Sequence, residues 1–335
     1  MQLQQRESYL SRNNTNCLKG ILAICILVCH LWGNVASSVS LGLVGRVMGV
    51  IFTAFGYLSV AIFLFLSGYG LMVQYQKQGK DYLNGFLVKR VLPLYLLCVI
   101  LILFYWGVRI LLGESVAPID VVQSFFFGET VISKGWYLQS ILLWYLLFFV
   151  SFRCFSKENQ KIAALLVSFV LYVALCLVMK LPTTWYEGAF CLPLGVLWAK
   201  AQKKIDSHLN RRYLVYLLVA WGFFVLSFSF GNFELLPVVP RVIVKSLSAV
   251  VFVIAVVLLL RILPIENIVT KFLGGMYLEI YVMHGFVLML WHSKYIYLNH
   301  PLLYSIVVIF SALLLARAVR PVFQKILQLG KRKKL

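Results

Sequence analysis

A chain of 335 residues in which 62% are apolar and only 13% charged, with a mean hydropathy of +0.90, lies far outside the composition of soluble globular domains. The formal charge of +20 resembles a nucleic-acid signal, but it is spread over short connections with no RNA-binding motif and no soluble domain to carry one. The composition therefore specifies an integral membrane protein, and the charge reads as topology with attraction to anionic lipid, with no nucleic acid expected as a partner.

A helix needs roughly 20 apolar residues to cross a hydrocarbon layer about 30 Å thick. In chain order the sequence offers such stretches at 20–38, 50–73, 92–112, 136–152, 162–180, 187–200, 213–230, 242–260, 273–291 and 302–319. The sixth is short and interrupted by Pro193 and Gly195. Runs of this length exclude a transmembrane barrel, because in lipid the backbone must pair within each segment or within a closed sheet. The expected fold is all-α, a polytopic bundle of about ten helices. One integral-membrane domain is expected over 1–335, ending in a basic tail from 321.

Charge sets the orientation. With a cytoplasmic N-terminus, the connections 74–90, 153–161, 200–212 and 261–271 and the two ends of the chain, counting Arg317 in the last turn of the final stretch, carry 24 of the 31 Lys and Arg, which is the positive-inside distribution. Both termini are then cytoplasmic, and the basic faces would attract anionic membrane lipid. No small-residue cleavage site follows the first apolar stretch, so that helix is expected to be retained. The seven cysteines contain no C-x-x-C pair and imply neither a disulfide framework nor a zinc site.

Polar groups at bilayer depth are costly, so each is a candidate for function. The first helix reads NCLKGILAICILVCHLWGN from residue 16, placing His30 near mid-membrane. Lys19 precedes it by three turns and about 20°, so the two share a face and lie roughly 16 Å apart along the axis, with Asn16 within about 40° of the same line. Lys19 could instead snorkel at the membrane edge while His30 bonds to a neighbouring helix. The second helix ends in FLFLSGYGL, where Ser67 and Gly68 allow close approach of either a helix or a ligand. Lys89, Arg90, Pro93 and Tyr95 open the third helix with a cationic cluster suited to topology or, beside a polar pocket, to phosphates. The ninth stretch, LGGMYLEIYVMHGFVL from 273, buries Glu279 and His284 and aligns Tyr277, Tyr281 and His284 on one face.

Together these segments resemble the integral-membrane acyltransferase family 3, whose members acylate cell-surface glycans. NCLKGILAICILVCH is similar to the family's Asp-x-Leu-Arg-Gly motif and its catalytic histidine, with Asn16 in the Asp position, Lys19 in the Arg position and His30 matching. FLFLSGYGL resembles Phe-x-Leu-Ser-Gly-Phe, FLVKRVLPLY resembles Arg-Ile-x-Pro-x-Tyr, WYLQSILLWYLL from Trp136 resembles a Trp-Tyr-Leu helix, and YLEIYVMHGFVL resembles Ser-Leu-Glu-Ile-Tyr-x-x-His. An upstream Arg of the family would fall at Leu87, with Lys89 as the nearest substitute. The resemblance runs in register from 13 to about 320.

It implies an O-acyltransferase of the bacterial inner or plasma membrane, moving acetyl from acetyl-CoA to a hydroxyl of a surface or lipid-linked glycan without a metal. His30, Glu279 and His284 would be catalytic. Lys19, Ser67, Gly68, Lys89 and Arg90 would serve CoA, and Asn16, Trp136, Tyr137 and Tyr281 the acceptor. A base within hydrogen-bond reach activates an alcohol, and an imidazole with an ordinary pKa of about 6.5 suits that at pH 7; a covalent acyl-imidazole is the other route. The rival of another class is a transporter or flippase of lipid-linked sugars, for which an inverted repeat is expected and not found.

The charge bias makes the topology testable. A cysteine introduced at Asn159 should react with an impermeant thiol reagent only from the cytoplasmic side, and one at Ser115 only from outside. The reverse pattern at both would invert the arrangement.

Overall fold

The computed structural model describes residues 9–39, 42–126, 131–210, 212–231 and 236–331; Glu129 and the last four residues of the basic tail lie outside them. Among the described residues the chain is helical with no β-strand. In chain order the α-helices are α1 (Arg12–Val35), α2 (Gly42–Gln78), α3 (Lys80–Asn84), α4 (Leu92–Leu111), α5 (Pro118–Ser124), α6 (Trp136–Cys154), α7 (Glu158–Val178), α8 (Cys191–Leu209), α9 (Tyr213–Gly231), α10 (Val238–Leu260), α11 (Ile268–Gly274), α12 (Tyr277–Leu290) and α13 (Pro301–Gln328).

Among the described residues eight helices, α1, α2, α4, α6, α7, α9, α10 and α13, are long and apolar enough to cross a membrane, and α11 with α12 makes a ninth if the two are arms of one broken span. The remaining expected span, 187–200, is occupied by the start of α8. That helix is apolar and largely buried to Ala199 and turns basic from Lys200, so it does not qualify on length and composition. The division is what its sequence dictates, since AKAQKKIDSH cannot sit in hydrocarbon.

The chain forms two compact units. The first takes the stretches up to Lys19, Tyr57–Tyr82 and Val150–Gly274. Its α9 and α10 pack along Tyr213, Leu217 and Ala220 against Ala255 and Leu258, with Leu209 from the end of α8 in the same cluster. The α2 and α8 backbones touch at two glycines: a Cβ on Gly68 would meet the Leu192 carbonyl, and one on Gly195 the Phe65 carbonyl. Small residues let membrane helices approach closely where no hydrophobic force draws them together. Buried Glu187 is answered by Lys245 at 3.2 Å.

The second unit takes Gly20–Gly56, Leu83–Phe149 and Gly275–Leu335. The α12 and α13 helices pack against each other, and α13 also packs on α4. Its polar groups pair across helices: Tyr105 Oη donates to the Val282 carbonyl at 2.8 Å and Asn34 Nδ2 to Tyr304 Oη at 2.8 Å. Phe86 sits against Phe148 and Phe149. A π-helical turn, Leu87–Val91, leads into α4; one wide turn of this kind rotates the residues after it and often marks a functional stretch.

The α2–α8 contact generates a stability prediction. Gly195→Val should lower stability by at least the about 1–3 kcal/mol usual for overpacking, read as a lower melting temperature in detergent. Gly70→Ala, where a Cβ meets nothing within 4 Å, should leave it unchanged. Equal melting temperatures for both variants would mean that the helices are not in backbone contact.

Candidate active site

The second unit gathers two imidazoles. The rings of His30, from α1, and His284, from α12, are stacked with centroids 5.2 Å apart and planes 13° from parallel. They are not equally accessible: His284 is buried, at 1% exposure, whereas His30 is half-buried. The Nδ1 atom of His284 is hydrogen-bonded to the backbone carbonyl of Tyr281. A carbonyl only accepts, so Nδ1 carries the proton and Nε2 of the neutral ring presents its lone pair. Among the described residues that buried Nε2 has no hydrogen-bond partner.

An aromatic wall continues from the pair. Tyr281 lies 5.7 Å from the His284 ring, Tyr137 5.5 Å from Tyr281, and Trp136 6.1 Å from Tyr137. The Trp-Tyr dipeptide opens α6, and it stands there because the preceding strap 131–135 is pinned in several places. Arg109 Nε donates to the Val131 carbonyl at 3.0 Å, and Ser124 Oγ accepts from the Val131 amide at 2.8 Å. Tyr281 Oη donates to the Lys134 carbonyl at 3.1 Å. Gly285 of α12 leaves room for the Ser133 carbonyl, which a Cβ would displace. Lys134 itself has φ +59, a left-handed conformation that a lysine adopts only where its surroundings hold it. Its exposed ammonium is near enough to act electrostatically on both histidine rings.

Glu279 is buried in the first turn of α12 and faces the charge of Arg320 from α13. In the same turn Tyr277 feels the charge of Arg90, from the π-helical turn. Lys89 and Arg90 are exposed, and Lys89 folds its side chain back over Gly85. Gly330 admits the Val88 carbonyl, so the end of the chain packs on the cationic turn.

Thus His30, Trp136, Tyr137, Tyr281 and His284 come together in the second unit, with Glu279, Lys89 and Arg90 in the same unit. Asn16, Lys19, Ser67 and Gly68 belong to the first. Lys19 and His30 are nonetheless carried by one unbroken helix, α1. The space at Gly68 is filled by α8, so it serves helix packing, and Asn16 presents its carbonyl where a Cβ on Gly274 would lie. Sequence reasoning missed Lys134 and Arg320. Lys134 could have been marked by the Ser-Lys-Gly turn just before the Trp-Tyr helix, and Arg320 as a cation beside Pro321 near the end of the last apolar stretch.

The fold and the site define a polytopic helical membrane protein with paired imidazoles and an adjoining aromatic wall among its described residues. The comparison with family models makes this specific. The chain matches the model of the acyltransferase 3 family, described as an acyltransferase domain, over residues 12–319, and it belongs to that family. It is a membrane acyltransferase. No match was found among curated proteins or among solved structures.

The pinned strap is open to test. Tyr281→Phe should cost about 1 kcal/mol, the scale of one hydrogen bond, and raise amide hydrogen exchange over 133–137 while leaving α13 protected. Unchanged exchange over 133–137 would mean that the strap does not depend on this bond.

Proposed function

We propose that the chain transfers an acyl group, acetyl in the first instance, from acyl-CoA to a hydroxyl of a cell-surface or lipid-linked glycan, with His30 as the general base. The observation that carries this reading is the stacked imidazole pair, in which His284 is buried and His30 is the more exposed ring.

In the proposed reaction His30 takes the proton of the acceptor hydroxyl as its oxygen attacks the thioester carbonyl. The tetrahedral intermediate then collapses, the carbon–sulfur bond breaks, and the departing CoA sulfur receives the proton from the imidazolium. Proton transfer by a positioned imidazole contributes about 10²–10⁴-fold. His284 and Glu279 act as positioning residues: the stack holds the plane of the His30 ring, and the hydrogen bond to Tyr281 holds His284.

The cations Lys89 and Arg90 serve the phosphates of CoA, for which charge-assisted hydrogen bonds are the strong contact. Trp136, Tyr137 and Tyr281 serve the acceptor, with aromatic faces and a phenol suited to a sugar, and Lys134 adds a cation. The enzyme works from a cell membrane, where a donor made in the cytoplasm can meet a glycan presented at the other face.

The test is His30→Ala. Removing one intramembrane polar group seldom costs a bundle more than about 1–2 kcal/mol, so the variant should insert and purify normally. Its acyl transfer should fall by about two orders of magnitude or more, and His284→Ala and Glu279→Gln should fall less. Full activity in His30→Ala with none in His284→Ala would assign the chemistry to α12 instead.

A further inference from the structure

The first unit contains a second built feature that acyl transfer does not use. A cavity of about 970 Å³ opens among the ends of α2, α8 and α10, lined by Tyr9, Gln76, Lys200, Lys203, Lys204 and Arg261 among others. The single carboxylate in its lining, Asp206, is engaged: it accepts from Tyr9 Oη at 2.9 Å and pairs with Arg261 at 3.5 Å. Arg261 is buried, donates to Asn210 Oδ1 at 2.9 Å, and lies over the rings of Tyr9 and Tyr213 at 5.3 and 5.6 Å. Burial pushes the Tyr9 phenol above its ordinary pKa, so it remains a hydrogen-bond donor. These interlinked polar groups share the cavity with three lysines. Among the described residues the only ion pair of the three is Lys200 with exposed Glu158 at 3.6 Å, which surface screening makes weak.

A second hollow, of about 480 Å³, shares Lys200, Ala201 and Lys204 with the first. Its other walls are Leu194, Leu197, Trp198 and Ile205. These recur along one face of α8, at the point where the helix passes from an apolar to a basic sequence. One helix face therefore presents an apolar slot that runs into a cationic cup, with an indole at the junction, the pattern of a membrane–water boundary.

We propose that this joined feature is a binding site for an anionic phospholipid of the surrounding leaflet, its headgroup phosphate in the cup against Lys200, Lys203 and Lys204 and an acyl chain along Leu194, Leu197 and Ile205. Charge complementarity selects the anion. The slot selects a molecule with a hydrocarbon chain that enters sideways from the bilayer, over one that arrives from water. The site is separate from the imidazole pair and independent of the reaction proposed for it.

The test uses the full chain, purified, stripped of lipid and given phosphatidylglycerol or phosphatidylcholine of identical chains, with retained lipid counted by native mass spectrometry. Phosphatidylglycerol should be retained at least about tenfold over phosphatidylcholine, each lysine near an anionic headgroup being worth about fivefold. The exposed-face variant Lys200→Gln/Lys203→Gln/Lys204→Gln should bring the two lipids to near parity. A second reading does not depend on those lysines: phosphatidylglycerol with brominated chains should quench the wild type more than Trp198→Phe. Undiminished preference in the triple variant, or equal quenching in both proteins, would overturn the site. Displacement of the bound lipid by CoA would overturn it as well, by making the cup the donor's.

Discussion

Hydrocarbon offers a polar group no partner, and that constraint organises this protein. Every buried donor and acceptor in the bundle has to be answered by another helix, and most visibly are: Glu187 by Lys245, the Tyr105 hydroxyl by the Val282 carbonyl, Asn34 by Tyr304. Leaving one such group unpaired costs about 1–3 kcal/mol. Against that background the bare Nε2 of His284 is of interest, because its ring is stacked on that of the more exposed His30. Other buried polar atoms, such as Ser246 Oγ and Ser248 Oγ, share that condition, and what sets His284 apart is that its ring is stacked on a second imidazole. The family assignment and the imidazole geometry meet at that point.

The surroundings of the pair are held by the same economy of backbone contacts. Gly285 lets the Ser133 carbonyl lie against α12, Tyr281 ties down the next residue, and Lys134 is forced into a left-handed turn as a result. Local strain of about 1–3 kcal/mol persists only where neighbouring structure over-determines it. Here the return is position: the turn delivers Trp136 and Tyr137 to the start of α6 beside Tyr281 and leaves a cation within electrostatic reach of both rings. The π-helical turn plays a comparable part at the other end, exposing Lys89 and Arg90 together.

Much of this was legible in the sequence, because hydrophobic length and intramembrane polarity are one-dimensional signals. The spans, His30, Glu279, His284 and the Tyr281–His284 face could all be read from spacing alone. What spacing does not carry is pairing between helices: nothing local to His30 or His284 says that the two rings stack. The Ser-Gly pair of the second helix is equally ambiguous in sequence, and it took the neighbouring backbone to show that Gly68 is occupied by α8. The sixth apolar stretch is short as its sequence suggests, but Pro193 and Gly195 do not interrupt it, since the helix runs through both. Its helix turns from apolar to basic halfway along, and its basic end forms part of the cationic cup.

Acyl transfer to a surface or lipid-linked glycan, as proposed, is tested most directly by mass spectrometry of glycans from cells that carry the chain and from cells that lack it. Glycan species heavier by one acyl group, acetyl first, are expected in the former and absent from the latter. Identical glycan masses in both, with acyl-CoA still consumed by the purified protein, would contradict a glycan acceptor and send the acyl group to a different hydroxyl.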